Sequence, residues 1–312
     1  MGRSSEATMV SFPSFEPSKI SNGDRVDLST GQPFYAIDGP DAHEIDDAIQ
    51  ITRRKGGFLV QVAIADGLKL ADDNNSSFVD GAILKKQNKY YGDKVTRQII
   101  PQEISNTLSL RTGENDALVI RQWLDDQGGN GRPTEIFSAK VKIIRTTYEE
   151  FGQQNAKKGP TDTYFDFYRN FRDWRGFKEK TLGRIVEQKG PASLGVRLVS
   201  SAMVLANTAV AQWADEQHLP IIYRCFSADE YRDEDAYYAH YIANPFPHMG
   251  IPGHKDGIKY THVTSPLRRT ADLLNHLQIG HLLAKKTLPY TQPELAIISA
   301  KLNPPPKLAI VA

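Results

Sequence analysis

Residues 48–66, AIQITRRKGGFLVQVAIAD, constrain the fold of this chain more than any other stretch. Two strand-like apolar runs flank Gly56-Gly57, a pair suited to a tight hairpin turn, so the segment reads as two antiparallel strands. PFYAID before it reads as a short strand ending at Asp38. DALVIRQWL and TEIFSAKVKIIRTTY after it are further strands, parted by the turn-rich DDQGGNGRP. The second half changes character. TYFDFYRNFRDWRGFKEK is aromatic and charged at helix-compatible spacing. Residues 191–217 form a long helix, apolar on most sides and therefore central. IIYRCF is a strand, residues 264–286 a second strong helix, and TQPELAIISAKL a third. Strands early and helices late predict an α+β fold, a mixed sheet from the first half packed by helices from the second. Residues 1–30, polar and rich in Ser, Pro and Gly, read as an irregular lead-in to one domain over 31–312. Three prolines keep the tail NPPPKLAIVA from extending a helix.

The charge is arranged locally. Asp38, Asp41, Glu44, Asp46 and Asp47 put five carboxylates into ten residues with no lysine or arginine between them, in a chain whose net charge is only +1. A solvated acidic loop or helix caps would account for such a cluster. A calcium loop would not, because the alternating aspartates, sixth-position glycine and twelfth-position glutamate are missing. The remaining reading is a hard-cation site of the magnesium type, which takes few carboxylates and keeps room for water and a substrate phosphate.

A second segment carries the opposite sign. In YTHVTSPLRRTADLLNHL, Thr264 and Ser265 read as an N-cap, with Pro266 at the first helical position. Arg268 and Arg269 then fall in the first turn, where the helix dipole disfavours positive charge. A bound anion would relieve them, with two guanidiniums and free backbone N–H groups acting as a phosphate clamp. Pairing with acidic neighbours would relieve them equally well.

Taken together, these segments resemble a known family. AIDGPDAHEIDDAI is similar to the signature I-D-G-x-D-A-x-D-x-D-D-A of the ribonuclease II and ribonuclease R family, and YTHVTSPLRR to its Y-T-H-F-T-S-P-I-R-R-Y. VQVAIAD, IIPQEISNTLSL and LVSSAMVLANTAVAQW resemble three further family segments, in the family's order, between residue 34 and about 302. The resemblance implies an RNB-type catalytic domain and a magnesium-dependent exoribonuclease, with manganese as a substitute, that releases nucleoside 5′-monophosphates from the 3′ end of single-stranded RNA. By position it implies that Asp38 and Asp47 hold the metal with Glu44 and Asp46 completing the carboxylate set, that Asp46 is the carboxylate most directly needed for hydrolysis, and that Arg268 neutralises the phosphate. Tyr90, with Tyr91 as its rival, matches the tyrosine that stacks on the terminal base. Lys86 and Lys89 beside it, with Arg269 and Ser265, would contact the RNA.

The chain departs from the pattern in places. Glu44 stands where an aspartate is expected, Ser200 and Ser201 where the helix usually carries paired glutamates, and Thr270 where a tyrosine follows the double arginine. Only about 30 residues precede the domain, and the flanking RNA-binding modules and a later charged helix are not seen, so a weaker and less processive grip is expected. A protein that binds RNA without cutting it is the alternative reading; a phosphodiesterase for another nucleotide-containing substrate is a third. One cysteine, Cys225, allows no internal disulfide and reads as a buried, inert thiol. With no signal-peptide pattern and no run near roughly 20 apolar residues, a cytoplasmic location is expected.

Overall fold

The computed structural model describes residues 25–70, 76–91, 94–126, 132–158, 163–164, 166–167, 191–226, 239–243 and 259–303. Most of the aromatic segment 163–180 lies outside them.

Six strands make the main sheet: β1 (Val26–Leu28), β2 (Phe34–Asp38), β3 (Asp47–Arg54), β4 (Gly57–Ala65), and two further strands, Gly113–Asp125 and Glu135–Thr147. The strands Lys89–Tyr91 and Lys94–Arg97 come between these in the chain and form a separate two-stranded ribbon, so they are β5 and β6, and the two long strands are β7 and β8. The sheet order is β1-β8-β2-β3-β4-β7, and β7 also pairs with β8, which closes the order into a ring. Both β1 and β2 run parallel to β8, and the other pairings are antiparallel. The expected mixed sheet is therefore present, and it starts earlier than the sequence suggested. Val26–Leu28, assigned to an irregular arm, is a strand in register with Ala139–Val141.

The β3–β4 hairpin forms where expected, from Asp47 opposite Ile64 to Arg54 opposite Gly57. Gly56 takes φ +77°. At Gly57 a side chain has no room, since a Cβ would lie 1.9 Å from the Leu124 carbonyl oxygen. Strand alternation sorts the interior into two apolar layers. One face gathers Ala36, Ala48, Ala63, Ala65, Ala117 and Ala139 with Phe34 and Val119; such small side chains suit the tightly curved face of a closed sheet. The other, with Ile49, Val60, Val62 and Ile120, packs against a long helix.

The described α-helices are α1 (Ser76–Lys85), α2 (Gln102–Leu108), α3 (Tyr148–Lys158), α4 (Pro191–Glu216), α5 (Thr270–Leu283) and α6 (Gln292–Leu302). The central helix matches its expected span within a residue. Over Leu194–Glu216 it is long and apolar enough to cross a membrane, with mean hydropathy 1.5, contrary to the sequence expectation. Two-thirds of its most apolar 18-residue window (67%) is buried in the fold, as a core helix requires. A small ribbon, β9 (Tyr223–Phe226) with β10 (Ala239–Ile242), completes the described strands.

The arginine helix starts later than its sequence implied. Residues 264–269 are not helical, and α5 begins at Thr270 with extended Arg269 as its N-cap. A turn precedes it, in which the N–H groups of Arg268 and Arg269 donate to the Ser265 carbonyl. Thr270 is wholly buried and explains the boundary. Its hydroxyl donates to the Ala82 carbonyl (2.7 Å) and its N–H to that of Lys86 (3.0 Å), tying the helix start to α1.

Candidate active site

One end of the ring collects the chemistry. Asp38 closes β2, Asp47 opens β3, and Asp46 lies one residue before it, with its carbonyl accepting the Ala65 N–H at the end of β4 (2.7 Å). Beside Asp38 in register, β8 ends at Thr147 and passes directly into Tyr148. The arginine turn reaches this end because Leu267, 1% exposed, packs in the apolar layer holding Ile45 and Ala48. Burying a leucine there contributes about 2 kcal/mol and sets where residue 268 emerges.

The two sequence motifs meet at Asp46. Its Oδ1 accepts the Leu267 N–H (3.0 Å) and its Oδ2 the Arg268 Nε–H (3.0 Å), across 222 residues. Asp46 is 4% exposed, whereas the Arg268 side chain is 43% exposed. Arg268 Nη2 donates to Ser265 Oγ (2.8 Å), and Nη1 has no partner among the described residues. The guanidinium is thus held along one edge and open along another, the arrangement needed to meet an anion from solvent.

Asp38 and Asp47 differ from Asp46. Both are half-buried, and neither carboxylate accepts a hydrogen bond from a described residue. Burial, reinforced by the Asp46 charge, pushes the Asp38 carboxyl up to about 7, against a smaller pull from Arg145 and Arg268. Burial and the charges of Asp38 and Asp46 push Asp47 well above the usual carboxylate range. Asp46 is raised by burial to about 6, with Arg268 and the Leu267 N–H opposing. Negative charge held in place without compensation is what a hard cation relieves. Among the described residues no group of three or more His, Cys, Asp or Glu side chains is gathered closely enough to enclose a metal ion. Magnesium needs less than that, since one or two carboxylates, water and substrate phosphate complete its shell. Asp38 and Asp47 fit that donor set, whereas both Asp46 oxygens are already engaged.

Other expected site residues are directed elsewhere. Glu44 turns away from the cluster, its carboxylate accepting from Asn88, Gln98 and Ser105. Arg269 forms a two-point pair with Asp272 (both contacts 2.8 Å), which is 0% exposed, so its charge is spent inside the fold rather than on RNA. Ser265 is 2% exposed and acts on Arg268, while its N–H donates to Asp272. The free helix N–H groups expected as part of a phosphate clamp are therefore occupied by Asp46 and Asp272. Lys86 Nζ donates to the Asn303 carbonyl (3.1 Å), and Lys89 is exposed. The backbone of Tyr90 and Tyr91 forms β5; their side chains lie outside the described residues.

Three participants escaped the sequence reading. Tyr148, half-buried, has its hydroxyl pKa raised by burial and by the charges of Asp38 and Asp47, so it shares their environment. Helix α4 passes close to it at Gly195, where a Cβ would lie 2.9 Å from the Tyr148 carbonyl oxygen. Arg145 donates to the Ala42 carbonyl (3.1 Å), clipping the acidic loop to β8. Asn88 joins that loop to the segment before β5. The aromatic RTTYEEF was a visible signal for Tyr148; nothing in the sequence marked the other two. Ser201, in one of the glutamate positions, is 1% exposed, and its hydroxyl has no hydrogen-bond partner among the described residues.

The RNB domain family profile matches residues 25–238 and 234–285. Ribonuclease II, chloroplastic/mitochondrial, of Arabidopsis thaliana is 26% identical over 340 residues, covering 92% of this chain and 40% of the plant protein. Mycoplasma genitalium RNase R in complex with ribose methylated single-stranded RNA has the same fold, at TM-score 0.73 and 20% identity over 93% of this chain and 57% of that one. Yeast Ssd1, a pseudonuclease, matches at TM-score 0.74 and 16% identity, over 93% of this chain and 44% of its own. The chain spans less than half the length of the plant relative. With the family profile matched over most of its residues and both motifs joined at one ring end, the chain belongs to the RNB-domain family of ribonuclease II and ribonuclease R.

Proposed function

We propose that this domain is a magnesium-dependent exoribonuclease that shortens single-stranded RNA from its 3′ end and releases nucleoside 5′-monophosphates. The observation that carries this reading is the Asp46–Arg268 contact, which sets an open guanidinium beside Asp38 and Asp47. Magnesium, or manganese in its place, would be held by Asp38 and Asp47 and would supply an activated water and charge compensation at the leaving oxygen. Arg268 offers its unpaired Nη1–H to a phosphoryl oxygen and offsets the charge that develops there. Asp46 and Ser265 hold the guanidinium so that little reorganisation is needed when the phosphate arrives. With its carboxyl near 6, Asp46 is ionised at neutral pH and keeps that grip. Tyr148 lies within the field of Asp38 and Asp47 at the same end of the ring. A chain with one cysteine suits a reducing compartment such as the cytoplasm.

A second reading, RNA binding without cleavage, draws on Ser200 and Ser201 and on the engagement of both Asp46 oxygens. A 5′-labelled oligoribonucleotide incubated with and without magnesium or manganese separates the two. Metal-dependent shortening that Asp46→Asn abolishes supports the enzyme. A gel shift without shortening supports the binding protein.

A further inference from the structure

The longer side chain of Glu44 is used, but away from the cation site. Asn88 Nδ2 donates to both of its carboxylate oxygens (3.0 and 2.9 Å), and Gln98 Nε2 and Ser105 Oγ donate to Oε1 at 3.2 Å each. Asn88 is 5% exposed and fully committed. Its Oδ1 accepts the Ile99 N–H (2.7 Å), and its backbone N–H donates to the Arg268 carbonyl (2.9 Å). Gln87 and Arg269 form a β-bridge next to it. One asparagine therefore touches the acidic loop through Glu44 and the arginine turn through its backbone, immediately before β5 (Lys89–Tyr91). The loop end of this link is itself fixed, since the Ile45 N–H donates to Ser109 Oγ (2.7 Å) and its carbonyl accepts the Leu110 N–H (3.0 Å). An aspartate at 44 would stop about 1.5 Å short, beyond hydrogen-bond reach of Asn88.

We infer that Glu44 is a positioning residue: through Asn88 it sets the spacing between β5, which carries the Tyr90 and Tyr91 that the family resemblance assigns to the 3′-terminal base, and the Asp38–Asp46–Asp47 end of the ring. It thereby fixes how the last nucleotide of an RNA registers against the cleavage point. The inference rests on the exoribonuclease reading above, and its chemistry differs from that of a metal ligand in a way that can be measured. A spacer needs length and an acceptor facing Asn88, so Glu44→Gln, which keeps one of the two oxygens that Asn88 Nδ2 donates to, weakens it less than Glu44→Asp, which keeps neither within reach. A metal ligand needs charge, so the order of the two variants reverses.

The test uses the full chain and an oligoribonucleotide carrying 2-aminopurine at its 3′ end, with EDTA present to prevent cleavage. Glu44→Asp and Asn88→Ala are each expected to weaken binding of the 3′-terminal base, read as fluorescence quenching, by about tenfold, and the double variant by no more than either alone. Glu44→Gln should stay within about threefold of the wild type. Direct manganese binding without RNA should be unchanged in all four, and urea midpoints identify any variant that is merely unfolded. A tenfold loss of manganese affinity in Glu44→Gln with unchanged base quenching would overturn the inference in favour of a metal ligand. Unchanged quenching in folded Glu44→Asp and Asn88→Ala also overturns it. If the wild type neither quenches the base nor shortens RNA with magnesium, the exoribonuclease reading itself has failed. A wild type that does both, beside variants that match it, sinks only the positioning role.

Discussion

Asp38→Asn should make the metal-free protein more stable at pH 8, although it removes a residue of the candidate active site. The Asp38 carboxyl lies at about 7 in the fold against 3.8 in an unperturbed chain, chiefly through burial and secondarily through Asp46. An acid whose folded-state pKa is raised holds its proton longer in the native state. Its stabilising share is present below about pH 4 and is lost as the pH climbs through about 7. A shift of about three units corresponds to at most about 4 kcal/mol. Asp38 is only half-buried, and the cluster titrates as a set, so screening and relaxation reduce this to about 1–2 kcal/mol. Asparagine keeps the shape and removes the charge, and no hydrogen bond to a described residue is lost. Urea unfolding in EDTA at pH 4.5 and pH 8 measures the effect. The variant and the wild type should be nearly equal at the lower pH, with the variant ahead by that amount at the higher. Manganese should stabilise the wild type at pH 8 more than the variant, by mass action on the native state. A variant less stable than the wild type at pH 8 in EDTA would refute the claim that these carboxylates are strained by burial and mutual repulsion.

Other expectations follow from single contacts. Arg268→Lys keeps the charge but loses the Nε and Nη2 contacts to Asp46 and Ser265; turnover should fall about 10²-fold or more with RNA affinity much less changed, as single-turnover kinetics would reveal. Arg269→Ala leaves Asp272 buried and unpaired and should cost about 3–5 kcal/mol in urea unfolding, a loss that a surface RNA-contacting arginine would not produce. Gly57→Ala drives a Cβ into the Leu124 carbonyl and should lower stability by about 1–3 kcal/mol, seen as a drop in Tm, while Gly56→Ala meets nothing within 4 Å and suffers only the strain of its φ of +77°. Ser201→Ala removes a buried hydroxyl without a partner among the described residues and should leave stability equal or raise it by about 1 kcal/mol; a clear loss in the same assay would reveal a partner for that hydroxyl.

The order of strands then helices, the Gly56-Gly57 hairpin and the central helix were legible along the chain, because alternation, turn glycines and apolar runs are local signals. The grouping of Asp38, Asp46, Asp47 and Arg268 was legible too, as an unusual local density of charge in a chain of net charge +1. Closure of the sheet was not, because it depends on β8 bonding β7 along one edge and β1 and β2 along the other. The roles of neighbouring charges were equally hidden. Arg268 and Arg269 are adjacent in sequence and look equivalent, yet one faces Asp46 with an open edge and the other is consumed by Asp272. Glu44 and Asp46 sit two residues apart and look like parts of one cluster, yet Asn88 and Leu267 direct them to different tasks. Sequence alone determined which charged groups this domain carries and in what density. Only the tertiary structure decided which of them remain free to act, because a charge is committed by the partner that burial brings to it; for Glu44 and Asp46 those partners come from 44 and 222 residues away, and for Arg269 from three.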